Sequence, residues 1–146
     1  MSKVLLIVTC LCVLPGCNTP IESSGPSLRF DGLYQSPLIS QSDGHDYYEF
    51  LRFFENGNVW QVSAAGEAKE IVDWFKDSHD GVGTGTFTVA GADIAFTTVF
   101  PAGKIKSKGA VLHDELLLTS HSLINGNVST FRYRFKLFSD VGKESP

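Results

Sequence analysis

Tyr47-Tyr48-Glu49-Phe50-Leu51-Arg52-Phe53-Phe54-Glu55-Asn56-Gly57-Asn58-Val59 is the stretch that decides how this chain folds. An aromatic-rich run meets Asn-Gly, the dipeptide that most readily turns a hairpin, and residues 58–63 supply the return strand. Successive side chains of a strand point to opposite faces. Tyr48, Phe50, Arg52 and Phe54 therefore share one face, and Tyr47, Glu49, Leu51, Phe53 and Glu55 the other. Both faces are mixed, so the pattern leaves open which one meets the core. If the first face looks inward, Arg52 is a guanidinium in an aromatic cavity, able to receive a ligand carboxylate or phosphate on two donors. If it looks outward, Arg52 is a structural cation, paired with an acid or laid on a ring.

The same rhythm extends in both directions. Residues 28–35 form a candidate first strand. Residues 84–89 and 93–100 flank Ala90-Gly91-Ala92, and residues 104–111 and 115–121 flank Leu112-His113-Asp114. Asn125-Gly126 precedes the last strand, 129–138. There Phe131, Tyr133, Phe135 and Leu137 alternate with Arg132, Arg134 and Lys136, the mark of a half-buried strand. One segment, Glu67 to Asp77, departs from period two. Its apolar residues Ala68, Ile71, Val72 and Phe75 recur at helical spacing, which predicts a short amphipathic helix between the third and fourth of eight strands. Eight strands joined mostly by tight turns predict an all-β fold over 28–138, an eight-stranded antiparallel up-and-down barrel, with residues 139–146 as a tail. An open sandwich is the other arrangement. The long connections 36–45 and 64–83 fall at one end. The helix is expected there as a lid, with Trp74 and Phe75 touching a ligand or plugging the interior. A hollow and a filled barrel both suit the 17 aromatic residues.

Asp31-Gly32-Leu33-Tyr34 together with residues 47–59 resembles small bacterial lipocalin-like proteins, and is similar to the lipocalin-like domain of some F-box proteins. Tyr34 stands where that family carries Trp. Arg132 or Arg134 would be the basic residue that covers it from the last strand. The resemblance implies a barrel that binds apolar molecules or serves as an interaction module, without catalysis. The ligand-contacting candidates are Arg52, Tyr48, Phe50, Phe54, Trp74 and Phe75.

The amino terminus reads as an export signal. Lys3 precedes an 11-residue apolar run, Val4 to Leu14, too short to cross a bilayer as a helix. Leu14-Pro15-Gly16-Cys17 resembles the lipobox of bacterial lipoproteins, with residues 1–16 removed and the Cys17 thiol accepting the lipid. The resemblance implies a membrane anchor of acyl chains, palmitate among them, and residues 17–27 read as a flexible tether. Asn18, in place of the Asp that retains such proteins at the inner membrane, favours the periplasmic face of the outer membrane in a Gram-negative envelope. The mature chain then has 130 residues, with 11 bases against 16 acids, and no thiol left for a disulfide. That acidic excess disfavours nucleic acid as a partner.

Reactive constellations are sparse. His45-Asp46, His79-Asp80 and His113-Asp114 sit in turns. Strand parity places His113 at the end opposite the other two, leaving a His45/His79 pair as the only geometric option for a metal. No nucleophile elbow and no phosphate loop is present. The sequence therefore predicts a non-catalytic, cofactor-free, envelope-anchored binding protein for a small apolar or amphipathic ligand or a protein partner. The alternative is a solid-core assembly module, and an envelope hydrolase is the weakest reading.

Overall fold

A computed structural model of the chain describes residues 25–77 and 80–141. The proposed signal, Cys17, His79 and the end of the tail lie outside the described residues.

Nine strands follow in order: β1 (Gly32–Gln35), β2 (Ile39–Ser40), β3 (Asp46–Phe53), β4 (Asn58–Ala64), β5 (Gly83–Ala90), β6 (Asp93–Phe100), β7 (Gly103–Leu112), β8 (Glu115–Ser122) and β9 (Val128–Leu137). Every pairing is antiparallel, and β3 to β9 pair as sequential neighbours. Closure depends on β1. Tyr34 lies opposite Phe135 of β9 and also opposite Leu51 of β3, so eight strands form a ring without a free edge. The ninth strand, β2, extends the sheet alongside β3 through Ile39 and Ser40. Two residues are too few to show an alternation, which is why the sequence reads 36–45 as plain loop.

The hairpin at 54–57 turns through Gly57 alone, at φ +89°. The Gly57 N–H donates to the Phe54 carbonyl (3.0 Å), and Phe54 N–H to that of Asn58 (2.9 Å). Asn56 contributes its side chain, whose Oδ1 accepts from Asn58 N–H (3.0 Å). Gly85 and Gly109 serve closure in another way. A Cβ there would meet the carbonyl of Thr97 or Leu117 at 1.8 Å, so only glycine admits the tight approach of neighbouring strands.

The chain builds two cores, one on each side of the barrel wall. Tyr34, Leu51, Phe53, Val59, Ile94, Phe96, Val111, Leu116, Leu118 and Tyr133 fill the interior. Leu33, Phe50 and Val62, each one residue out of phase with that set, point outward. They are covered by helix α1 (Ala68–Ile71), the 3₁₀ turn Val72–Phe75 and the terminal helical turn α2 (Phe138–Val141), through Ala68, Ile71, Phe75, Phe138 and Val141. The expected lid is thus a cladding. Its apolar stripe finds an apolar outer sheet face instead of the barrel mouth. The helix is also shorter than 67–77, tightening into 3₁₀ at the β-branched Val72.

The first strand is shorter than 28–35. Residues 28–31 leave the sheet and cross the end of the barrel where β3–β4, β5–β6 and β7–β8 turn. Leu28 and Phe30 pack on the interior core, and Phe30 lies 6.4 Å from Phe87. Arg29 pins this plug. Its N–H reaches the Tyr34 hydroxyl (3.0 Å), and its guanidinium bridges Asp31 and Asp114 and lies 4.0 Å over the Phe135 ring. The guanidinium's hydrogen bonds to Asp31 hold that carboxyl below its usual range.

Candidate functional site

The barrel interior is filled at one end and polar at the other. Toward the plugged end, Phe53 makes edge contacts with Tyr34, Phe87 and Phe96 at 5.8, 5.1 and 5.5 Å between ring centres, and Tyr34 meets Phe135 at 5.1 Å. Such T-shaped pairs are favourable, and they occupy the bore. Toward the other end, the Thr98 hydroxyl donates to Gln61 Oε1 (2.6 Å) and the Ser107 and Ser120 hydroxyls share a hydrogen bond (2.8 Å). Tyr133 donates to the Glu49 carboxylate. Burial raises the Glu49 pKa, opposed by the Tyr133 bond. Burial first, and the Glu49 charge second, push Tyr133 well above the ordinary tyrosine value. The phenol therefore stays protonated and donates. The arrangement satisfies buried polar groups pairwise, and none of its members was singled out by sequence patterning. The available signal was Glu49, Ser107 and Ser120 standing in phase with otherwise apolar inward positions.

The sequence candidates lie elsewhere. Tyr48, Phe50, Arg52 and Phe54 take the outward option, on the face beneath the cladding. Phe50 is fully buried, and Phe75 lies buried in the same cluster, whereas Trp74 projects to solvent at 41% exposure. Arg52 is the seam between sheet and cladding. Its Nη1 donates to the Phe75 carbonyl (2.7 Å), one of the acceptors a helical turn leaves unpaired at its carboxyl end. The guanidinium lies 4.5 Å from the Phe54 ring centre and 4.8 Å from that of Phe138. Burial lowers its pKa, and Nε is buried without a partner. A shallow groove of about 710 Å³ runs beside this seam, lined in part by Gln35, Tyr48, Ala68, Lys69, Lys136 and Val141. Arg52 does not line this groove, and facing outward it does not reach the barrel interior in which the inward option placed it.

Among the described residues no three His, Cys, Asp or Glu side chains converge. His45 is exposed in its loop, and His113 is exposed with Nδ1 3.3 Å from its neighbour Asp114. The His45/His79 option rests on His79, outside the described residues.

The outer face of β7, β8 and β9 is uncovered and largely cationic. Lys104, Lys106 and Lys108 of β7 and Arg132, Arg134 and Lys136 of β9 all point outward and are exposed. Glu115, at the start of β8, is the one acid on β7, β8 and β9, and it binds Arg132 (2.6 Å) and Arg134 (3.6 Å). No family model, curated protein or solved structure matches the chain.

Proposed function

We propose that this protein is an acyl-anchored module of the bacterial envelope, a lipocalin-like barrel with a solid core that works through its outer surface and performs no catalysis. The observation that carries this reading is the stack of Tyr34, Phe53, Phe87, Phe96 and Phe135 across the bore. A carrier of this size needs an interior free of side chains, and these rings take that space. The charged start, 11-residue apolar run and Leu14-Pro15-Gly16-Cys17 support the anchor, with Cys17 as the lipid-bearing residue and Asn18 favouring the outer membrane. The helix between the third and fourth barrel strands belongs to this reading as a brace rather than a lid. The partner is a protein or surface of the envelope.

A second reading, a carrier for a small amphipathic ligand, draws on the polar layer around Glu49 and Tyr133. Native mass spectrometry of the protein extracted from membranes separates the two. The solid-core module flies as protein plus its covalent acyl mass alone. A stoichiometric, non-covalent small molecule would establish the carrier. Labelling with a palmitate analogue tests the anchor: Cys17→Ser abolishes incorporation, and label that survives the substitution overturns the lipobox reading.

A further inference from the structure

The outer face of β7, β8 and β9 concentrates half of the chain's cations. Six of the 12 Lys and Arg residues stand there against Glu115, a local balance of +5, while the whole chain carries −4. The rest of the chain therefore sums to −9. The pairing register sets the cations on a diagonal, the lysines along one half of β7 and Arg132, Arg134 and Lys136 toward the opposite end on β9. Lys108 faces Thr119, which faces Thr130, and Ala110, Leu117 and Arg132 form the next row. Exposed apolar side chains sit among them: Leu117 at 39%, Val99 at 48% beside Lys104, and Val128 at 64% beside His121. Lys104, Lys106 and Lys108 make no ion pair among the described residues. In the ring of eight strands β7 stands four places from β3 in either direction, opposite the cladding segment, whose exposed Glu67, Glu70, Asp73, Asp77 and Asp80 outnumber its Lys69 and Lys76, whereas β9 adjoins β1 and its Lys136 borders the groove beside the cladding.

The end of the described chain adds a second, independent constraint. Gly25, Pro26 and Ser27 lie in a groove with Arg29, His113 and Asp114, so the chain leaves the barrel at the turn joining β7 to β8. Gly25 follows Cys17 by eight steps along the chain, a reach of no more than about 28 Å. A lipid on Cys17 would hold the β7–β9 corner close to the bilayer.

We infer that the basic β7–β9 face docks onto the anionic headgroups of the membrane in which Cys17 is anchored, laying the barrel on its side with the acidic cladding facing away. This rests on the anchor reading above. Lysines and arginines near an anionic surface attract it strongly within a Debye length, and apolar side chains between them enter the interface. The partner is a lipid surface, because the tether delivers the face to one and the repulsion from the cladding sets the orientation.

The test uses the acylated chain on vesicles of phosphatidylcholine with or without about 30% phosphatidylglycerol. An environment-sensitive probe is attached through Thr130→Cys on the basic face, or through Asp73→Cys on the cladding. Headgroup-nitroxide lipid is expected to quench the Thr130 probe on anionic vesicles only, and about 0.5 M salt is expected to release it. The Asp73 probe is expected to stay unquenched throughout. Replacing Lys104, Lys106 and Lys108 together by Gln is expected to lower the docked-to-undocked ratio about 100-fold, near fivefold per charge, with vesicle flotation unchanged. Absent or charge-independent quenching at Thr130 in a chain that floats overturns the docking. So does a stable dimer that masks Thr130 without vesicles. A chain that fails to float overturns the anchor reading instead. In that event the unacylated Cys17→Ser mature chain, whose cores draw only on residues 28–141, decides the docking by salt-sensitive co-sedimentation with anionic vesicles. Retention in that assay supports it, and equal binding to neutral vesicles overturns it.

Discussion

Two outward faces of one barrel meet opposite fates. On β1, β3 and β4 the outward residues Leu33, Phe50 and Val62 are apolar, and the chain spends the connection after β4 and its last helical turn on covering them. On β7 and β9 the outward residues include Lys104, Lys106, Lys108, Arg132, Arg134 and Lys136, and no helical segment of the described chain covers the β7 lysines. The backbone is the same antiparallel ladder in both places, so side-chain chemistry alone separates a covered face from a bare one. Burying Phe50 or Val62 is favourable at about 25 cal/mol per Å² of apolar surface, whereas burying unpaired lysines carries a desolvation cost. The covered side is structural. The bare side is where the protein can meet something else.

That contrast can be broken by substitution. Phe50→Ala is expected to cost about 3–5 kcal/mol in urea unfolding, as much as a core deletion inside the barrel. A loss under about 1 kcal/mol would make the cladding dispensable. Arg52→Met removes the bond to the Phe75 carbonyl and the stacking on Phe54 and Phe138, and about 2 kcal/mol is expected to go with them. Hydrogen exchange is expected to rise first in residues 68–75, with β7–β9 still protected. Faster exchange throughout would show that Arg52 supports the barrel and not the seam.

Glu49 lies between Phe50 and Tyr48 in sequence yet faces inward, so it separates the two sides of β3. Its pKa is raised in the fold, so the folded chain retains a proton that the unfolded chain has already released. Stability is then fullest at and below the ordinary glutamate value, declines as pH rises through the raised one, and stays flat above. Glu49→Gln is expected to flatten that decline in melting temperature against pH, and at neutral pH to lie within about 1 kcal/mol of the parent. An unchanged slope would assign the pH dependence to another group. The smallest effect belongs to the bare face: Lys106→Gln is expected to shift stability by under about 0.5 kcal/mol. A larger loss would mean that the basic face also holds the barrel together.

Much of this architecture is legible locally. The turn at Asn56-Gly57, the hairpin about Gly91 and the clean alternation of Phe131 to Leu137 each announce themselves within about ten residues, because strand period and turn chemistry act over that range. The plug at Leu28–Phe30 was hidden, since an apolar segment capping a barrel has the composition of a strand within it. The Glu49–Tyr133 bond was hidden as well, because it joins residues 84 apart across the bore.

The sequence by itself determined the number of barrel strands, their order and the existence of an amphipathic segment among them. The tertiary structure decided which side of β3 faces inward. Both faces of Tyr47 to Glu55 are apolar enough to bury, and in the fold both are buried, one against the rings of the bore and one against the cladding. A strand buried on both sides carries no alternation from which its orientation could be read. Only the closure of β1 onto β3, and the segment laid over Phe50, assigned Arg52 to the seam and left the lysines of β7 facing out.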